Sequence, residues 1–347
     1  MQMTKNAKAR GAAARMDTPR KFWSLSSGRW AGEQLLRALQ GGYRLSTDAL
    51  RTLDTLRKDE WVFFDEALVA AGEIRLRGVR DLIAAGLTRN VPNSMGKTII
   101  QYEKVTDMEP AVVSLDGMSE DIADRQEFDL NSLPLPITHK DFFLHLRDLA
   151  ASRERGEALD TMQVRTCGRL IAERLELTLF QGGPTFGGFP IYGYTTHPDR
   201  NQAAYGVGGA WNLVAKTGEQ ILADLLTMIG AAEADRFYGP YFLYVPSNVS
   251  TKLAGDFKAN SDKTIMSRLM EVDQVRAVTV ADQCPTGHVV LVQATDDVVR
   301  WYQGEPLRTI QWDIQGGLRI NFKALTIAVP LITSDSEHRS GVVDMHL

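Results

Sequence analysis

The chain has 347 residues, enough for one large domain or two ordinary ones, and its 44% hydrophobic and 24% charged content is the balance of a folded chain, not a disordered one. No apolar run approaches the roughly 20 residues of a membrane-spanning helix, no apolar stretch follows the basic segment Met1–Arg20 to make a secretory signal, and two cysteines, Cys167 and Cys284, exclude a disulfide scaffold or a zinc site of Cys pairs. An integral membrane or secreted protein is therefore not expected, and synthesis in a reducing cytoplasm is. Charge is unevenly placed. Seven basic side chains against one acid make the first 30 residues +6, so the rest of the chain, at −4 overall, carries −10. A basic arm on an acidic body suits contact with nucleic acid or with an acidic protein surface, or stands as a solvated tail.

Residues 1–29 show almost no periodic apolar face and read as an arm that orders only against a partner. From Trp30 to Ala71 the pattern is helical, with Leu50, Leu53, Trp61, Phe64 and Leu68 recurring at near-helical spacing. A second helix, Leu76–Ala85, stops at Gly86. Lys97–Val105 is β-rich, Ala111–Leu115 is a short apolar run, and Glu127–His139 is extended, with Pro134 and Pro136 preventing a helix. The acidic excursion between them, with Asp116, Glu120, Asp121 and Asp124, predicts a hairpin that projects from the body. A lone two-stranded ribbon is marginal in water, so it needs a surface to lie on, and nothing in the chain's own sequence supplies an obvious one.

The clearest helix follows. Asp160 can cap it with Gln163 as capping-box partner; Val164, Cys167, Ile171, Leu175 and Leu179 form its apolar face, Arg165, Arg169, Glu173 and Glu176 its polar face, and Gly182-Gly183 ends it. After a Gly-rich link, Gly182 to Gly209, a second capping box, Thr217 and Gln220, opens a helix with Ile221, Leu222, Leu225, Met228, Ile229 and Ala232 buried. Strands are expected at Tyr241–Val245, Val275–Val280, His288–Ala294, Val298–Tyr302 and Leu307–Ile314, and a short helix near Pro246–Ala254. Leu318, Ile320 and Phe322 alternate with polar residues in a strand that runs on to Ile332. With no repeat and no regular βαβ alternation, the class is α+β with antiparallel strands.

Catalytic patterns are missing from this sequence. Ser94-Met95-Gly96-Lys97-Thr98 ends like a phosphate-binding loop, but Val91 stands where the first glycine belongs and a strand follows where a helix is required. Gly206-Val207-Gly208-Gly209 lacks the third glycine of a dinucleotide fingerprint, its place taken by Trp211. His139, Asp141, His145 and Asp148 cluster in sequence, and strand alternation would put His139, Asp141 and His145 on one face beside Phe143, yet no second cluster completes a metal site. Cys167 falls on an apolar helix face and Cys284 in a turn, neither in the setting of a nucleophile. No catalytic, cofactor-binding or metal residue is assigned.

One stretch is more specific: Leu133-Pro134-Leu135-Pro136-Ile137-Thr138-His139-Lys140-Asp141-Phe142, then Arg147-Asp148, Ser152-Arg153, Leu159-Asp160-Thr161, Leu179-Phe180-Gln181-Gly182 and Gly193-Tyr194. It resembles the core of the encapsulin and tailed-phage major capsid superfamily, in which an extended hairpin returns through a P-x-x-x-K-D-F stretch into a long spine helix. The match covers about 60 residues, Leu133 to Thr196; beyond it the layout agrees. The resemblance implies an N-terminal arm and helix (1–62), a connecting helix (63–96), an extended hairpin loop (97–140), a peripheral domain (141–210 and 315–347) with spine helix 160–181, and an axial domain (211–314). It implies a non-enzymatic phage major capsid protein without cofactors, forming pentamers and hexamers of an icosahedral shell around double-stranded DNA in the bacterial cytoplasm, with portal, scaffolding and decoration proteins as further partners. The long segment before the hairpin favours a phage capsid protein or an encapsulin of the long-armed type; an encapsulin shell enclosing a cargo enzyme is the alternative within the same fold. An enzyme with dispersed site residues is the alternative of another class. Some phage relatives weld their shells by Lys–Asn isopeptide bonds, and Lys97 and Lys104 lie in or beside the hairpin.

Overall fold

The computed structural model describes residues 58–105, 113, 115, 125–126, 128–155, 162–258, 262–314 and 318–346. The basic arm, the part of the expected helix before Lys58, the acidic excursion and the expected Asp160 cap lie outside the described residues. The elements run α1 (Lys58–Glu73), α2 (Gly78–Ala84), β1 (Thr88–Asn90), β2 (Ile99–Val105), β3 (Phe128–Pro134), β4 (Ile137–His145), α3 (Leu146–Arg155), α4 (Met162–Gln181), β5 (Gly183–Phe186), β6 (Phe189–Ile191) and β7 (Asn201–Ala204). Then come α5 (Gly218–Ala234), β8 (Tyr241–Pro246), α6 (Ser247–Leu253), α7 (Ile265–Met270), β9 (Val275–Ala281), β10 (Val289–Gln293), β11 (Val299–Ile314), β12 (Arg319–Ile332) and β13 (Val342–His346). The class is α+β, as expected. The strands form a four-stranded sheet, β1-β11-β12-β4, a five-stranded sheet, β7-β13-β10-β8-β9, and the two ribbons β2-β3 and β5-β6.

The described residues divide into two compact units. One comprises 58–69, 141–155, 162–167, 309–314 and 318–324. It buries Phe64, Leu68, Phe142, Leu149, Ile320 and Phe322. The Phe322 ring stacks on Phe142 at 5.0 Å between centroids and meets Phe64 edge-on at 6.0 Å. Such aromatic pairs contribute beyond their buried area.

The other unit holds the hairpin and the five-stranded sheet. Its larger core packs Ile221, Leu225, Met228 and Ile229 of α5 against Leu243, Val245, Leu291 and Val343 of the sheet. The capping box that opens α5 is formed: the Thr217 amide donates to Gln220 Oε1 at 2.9 Å, and the Gln220 amide to Thr217 Oγ1 at 3.3 Å. Ahead of it, Lys216 and Asp224 make a buried ion pair at 2.7 Å. Trp211 Nε1 also donates to Asp224, at 2.8 Å, and Lys216 Nζ to the Val207 carbonyl at 2.9 Å. That network fixes the loop 206–217, where Gly208 and Gly209 adopt positive φ as turn residues.

Several expectations need correction. Glu176, placed on the polar face of the long helix, is buried; Val164, Cys167, Ile171, Leu175 and Leu179 are buried as read. The Gly-rich link 182–209 contains the ribbon β5-β6, because Gly187 and Gly188 both adopt positive φ, as a tight hairpin turn demands, and also β7. Val298–Tyr302 and Leu307–Ile314, read as two strands, are one strand, β11. The strand stays continuous past Gly304, where a Cβ would lie 2.3 Å from that of Ser94. Pairing is not only antiparallel: β1 with β11, β7 with β13 and β8 with β9 are parallel. Strands β7 and β13 complete the sheet of β8, β9 and β10. Hydrogen bonding between strands some 140 residues apart leaves no local trace, so β13 could not be assigned from sequence.

Candidate functional site

The hairpin is the feature that the enzyme motifs leave standing. Its two strands pair antiparallel, Ile99 opposite Pro134 through Val105 opposite Phe128. Side chains alternate across a strand, so directly opposed residues share a face. One face carries Ile100, Tyr102 and Lys104 with Leu133. Leu133 belongs to a core cluster with Ile191, Ile327, Val329 and Leu331, against which Ile100 and Tyr102 pack. The ribbon therefore does lie on its own chain over its body-proximal half, contrary to expectation; the supporting residues come from β6 and β12, far away in sequence. The opposite face carries Ile99, Leu130 and Phe128, of which Leu130 is 57% and Phe128 60% exposed. Burying a large apolar side chain is worth about 1.5–3 kcal/mol, so this outer face is a surface with free energy to gain from a partner.

A polar cluster anchors the inner face near the strand end. Lys104 Nζ donates to Ser334 Oγ at 2.7 Å and pairs with Asp199 at 3.5 Å; Ser334 Oγ donates to Asp199 at 2.5 Å, and His338 Nδ1 lies 2.8 Å from the other Asp199 oxygen. Burial would push the Asp199 carboxyl up, but the Ser334 and His338 hydrogen bonds and the Lys104 charge together hold it below its usual value. A lysine touching a serine is the raw material of a hydrolytic dyad, but here Lys104 Nζ donates to Ser334 Oγ and the hydroxyl in turn donates to Asp199, so the serine is held by the carboxylate and not by the amine. The cluster is a fastening. Asp199, Ser334 and His338 were missed from sequence because they stand 95, 230 and 234 positions from Lys104.

The other candidate residues are dispersed. Gly96-Lys97-Thr98 runs from a single 3₁₀ turn straight into β2, with no helix to cradle a phosphate. His139, Asp141, Phe143 and His145 are all exposed on one face of β4, as alternation requires, with Phe142 buried opposite. Within that strand Asp141 pairs with Lys323 at 3.6 Å and the Phe143 ring lies 3.8 Å beneath the Arg319 guanidinium. Those contacts absorb the cluster into sheet packing. Cys167 and Cys284 are buried thiols, and burial pushes the Cys284 thiol well up, away from a reactive thiolate.

A returning hairpin, a long spine helix and a sheet-and-helix domain in this order define a protein with the phage-capsid and encapsulin fold. The virus-like particle from Pyrococcus furiosus superimposes with a TM-score of 0.59 over 82% of this chain and 98% of that one, at 14% identity. The capsid of Myoviridae phage XM1 does so with 0.56 over 76% and 90%, at 13% identity. The chain belongs to a family of unknown function, DUF6260, whose profile matches residues 51–345. It is also 27% identical over 135 residues to the type 1 encapsulin shell protein EncA of Myxococcus xanthus, a match spanning 38% of this chain and 44%, under half, of that relative.

Proposed function

We propose that the chain is a structural shell subunit, the major capsid protein of a tailed bacteriophage, which assembles through pentamers and hexamers into an icosahedral capsid around double-stranded DNA. The observation that supports this best is the extent of the fold match, which takes in nearly the whole of one particle-forming chain. The outer hairpin face fits the role, since Leu130 and Phe128 would be covered by a neighbouring subunit. In this reading residues 97–140 form the extended loop, α4 is the spine of a peripheral domain, and the axial domain comprises the five-stranded sheet with α5, α6 and α7. The basic arm, at seven cations to one anion, faces packaged DNA or an acidic neighbour. Portal, scaffolding and decoration proteins would be further partners, and assembly would take place in the host cytoplasm. Neither catalysis nor a cofactor is required of such a subunit.

The partial identity with EncA favours a second reading, an encapsulin-type shell around a cargo protein. Electron microscopy of the expressed chain tests both, with closed particles of uniform size as the expected result. A chain that stays monomeric or dimeric at all concentrations and salts overturns both. Nuclease-protected DNA in particles from the native host supports the capsid, and a co-purifying enzyme inside them the encapsulin.

A further inference from the structure

We propose that His288, Asp344 and His346 form a binding site for a divalent transition-metal ion of the zinc type, one that clamps β13 to the turn preceding β10. Strand register brings the three together. Asp344 and His346 are two apart on β13 and share a face. Val289, the first residue of β10, stands opposite Met345, which sets His288 beside His346. Their imidazoles stack at 5.2 Å between centroids with 15° between planes. One potential ligand atom from each of the three residues lies within 4.8 Å of the others. Two imidazoles and a carboxylate are a donor set that zinc uses, with a solvent position completing a tetrahedron.

Two further observations point to an ion. His346 Nδ1 is shut off from solvent and makes no hydrogen bond among the described residues, and Asp344 Oδ2 is 3.5 Å away. A buried ring nitrogen left in that state costs free energy that a cation shared with the carboxylate recovers. His288 Nδ1, meanwhile, lies 2.9 and 3.2 Å from the two Asp344 oxygens, so one carboxylate faces both rings. The supporting shell is also in place. Asp344 is fully buried, and Arg200 Nε donates to its Oδ2 at 3.1 Å while Arg200 also holds the His197 carbonyl at 3.0 Å. That orients the carboxylate with Oδ1 toward His288 Nδ1, where a metal would sit between them, the outer-shell arrangement that ligating carboxylates show. The two histidine side chains keep 27% and 28% of their surface open, which gives an ion a way in.

The test uses the full chain, free of any affinity tag and stripped of metal, titrated with Zn²⁺ by calorimetry and with Co²⁺ by visible absorption. One equivalent per chain with low-micromolar or tighter affinity is expected, together with the intense Co²⁺ bands of a four- or five-coordinate site. His288→Gln and His346→Gln should each weaken binding about tenfold or more, whereas His139→Gln and His145→Gln should not. Absence of saturable binding, or unchanged binding by the His288→Gln/His346→Gln double variant, overturns the site. Should the variants misfold, X-ray absorption on the zinc-loaded parent decides. Imidazole nitrogens at about 2.0–2.1 Å support the site, and a shell without imidazole overturns it.

Discussion

The Glu176 carboxylate caps a helix to which it does not belong: its Oε1 accepts the Gly78 amide at 2.6 Å, and the Arg77 and Val79 amides lie at 3.2 and 3.3 Å. The first turn of α2 presents N–H groups without intrahelical partners, and its own N-cap, Arg77, offers no side-chain acceptor. A glutamate from α4 takes that task, near the positive end of the helix dipole. Gly78 is required for the approach, since a Cβ there would lie 2.9 Å from Leu179 Cδ2 and 3.3 Å from Glu176 Oε1.

Burial raises the Glu176 carboxyl to about 7, the three backbone hydrogen bonds pulling the other way. The folded chain therefore keeps a proton that the unfolded chain releases near pH 4.5, so this residue's contribution is full below 4.5 and is lost as pH rises through 7. The swing is on the order of 3 kcal/mol. Glu176→Gln keeps a carbonyl for the α2 amides and removes the ionisation. Unfolding free energies from urea titrations at pH 5 and 7.5 should differ less in the variant than in the parent, by an amount of that order.

His197 runs in the opposite sense. Burial lowers its imidazole to about 4, although Asp199 nearby acts to raise it, and its Nδ1 accepts the Asp199 amide at 3.2 Å. The unfolded chain takes up a proton near pH 6.5 that the folded chain refuses until about 4. Stability from this site is thus full above 6.5 and is lost on acidification. In the Glu176→Gln background the melting temperature should fall from pH 6.5 to 4.5, and adding His197→Asn should flatten that slope.

Asp224 satisfies Lys216, Trp211 and the Gly206 amide at once. Asp224→Ala strands a buried ammonium, a change that costs about 3–5 kcal/mol. Asp224→Asn, which retains acceptor and donor, should cost less. Chemical denaturation of both variants checks the order.

Leu175 lies in the buried stripe of α4, whereas Arg169 is paired with Glu173 at 2.9 Å and partly exposed. Leu175→Ala should cost about 2–5 kcal/mol and Arg169→Ala no more than about 0.5 kcal/mol. Equal, large losses in thermal melts would contradict the facing of this helix.

The hairpin's outer face can be tested without disturbing its inner one. Phe128→Glu with Leu130→Glu removes apolar surface that the folded chain leaves exposed, so circular dichroism and melting temperature should hardly change. Closed particles should be lost by microscopy, because charged residues are depleted from the cores of interfaces, where burying them unpaired is costly. Normal shells from this variant would remove the hairpin from the assembly contact.

What depends on near neighbours is legible along the chain: the spine helix with its apolar stripe, the Thr217–Gln220 capping box, the β-rich run 97–105 and the extended run 127–139, which the structure divides between β3 and β4, and the shared face of His139, Asp141 and His145. Each follows from side-chain periodicity or from a partner three or four residues away, where the chain cannot avoid the contact. What depends on closure of long loops is set only when the chain is folded. Glu176 sits in register with the charged residues of its helix, and only the arrival of α2, nearly 100 residues upstream, makes burial there favourable. In the same way β13 reaches its sheet by pairing with β7 and β10, and those pairings alone bring His288, Asp344, His346 and Arg200 into one cluster. No spacing rule connects residues whose proximity is set by strand register between distant segments.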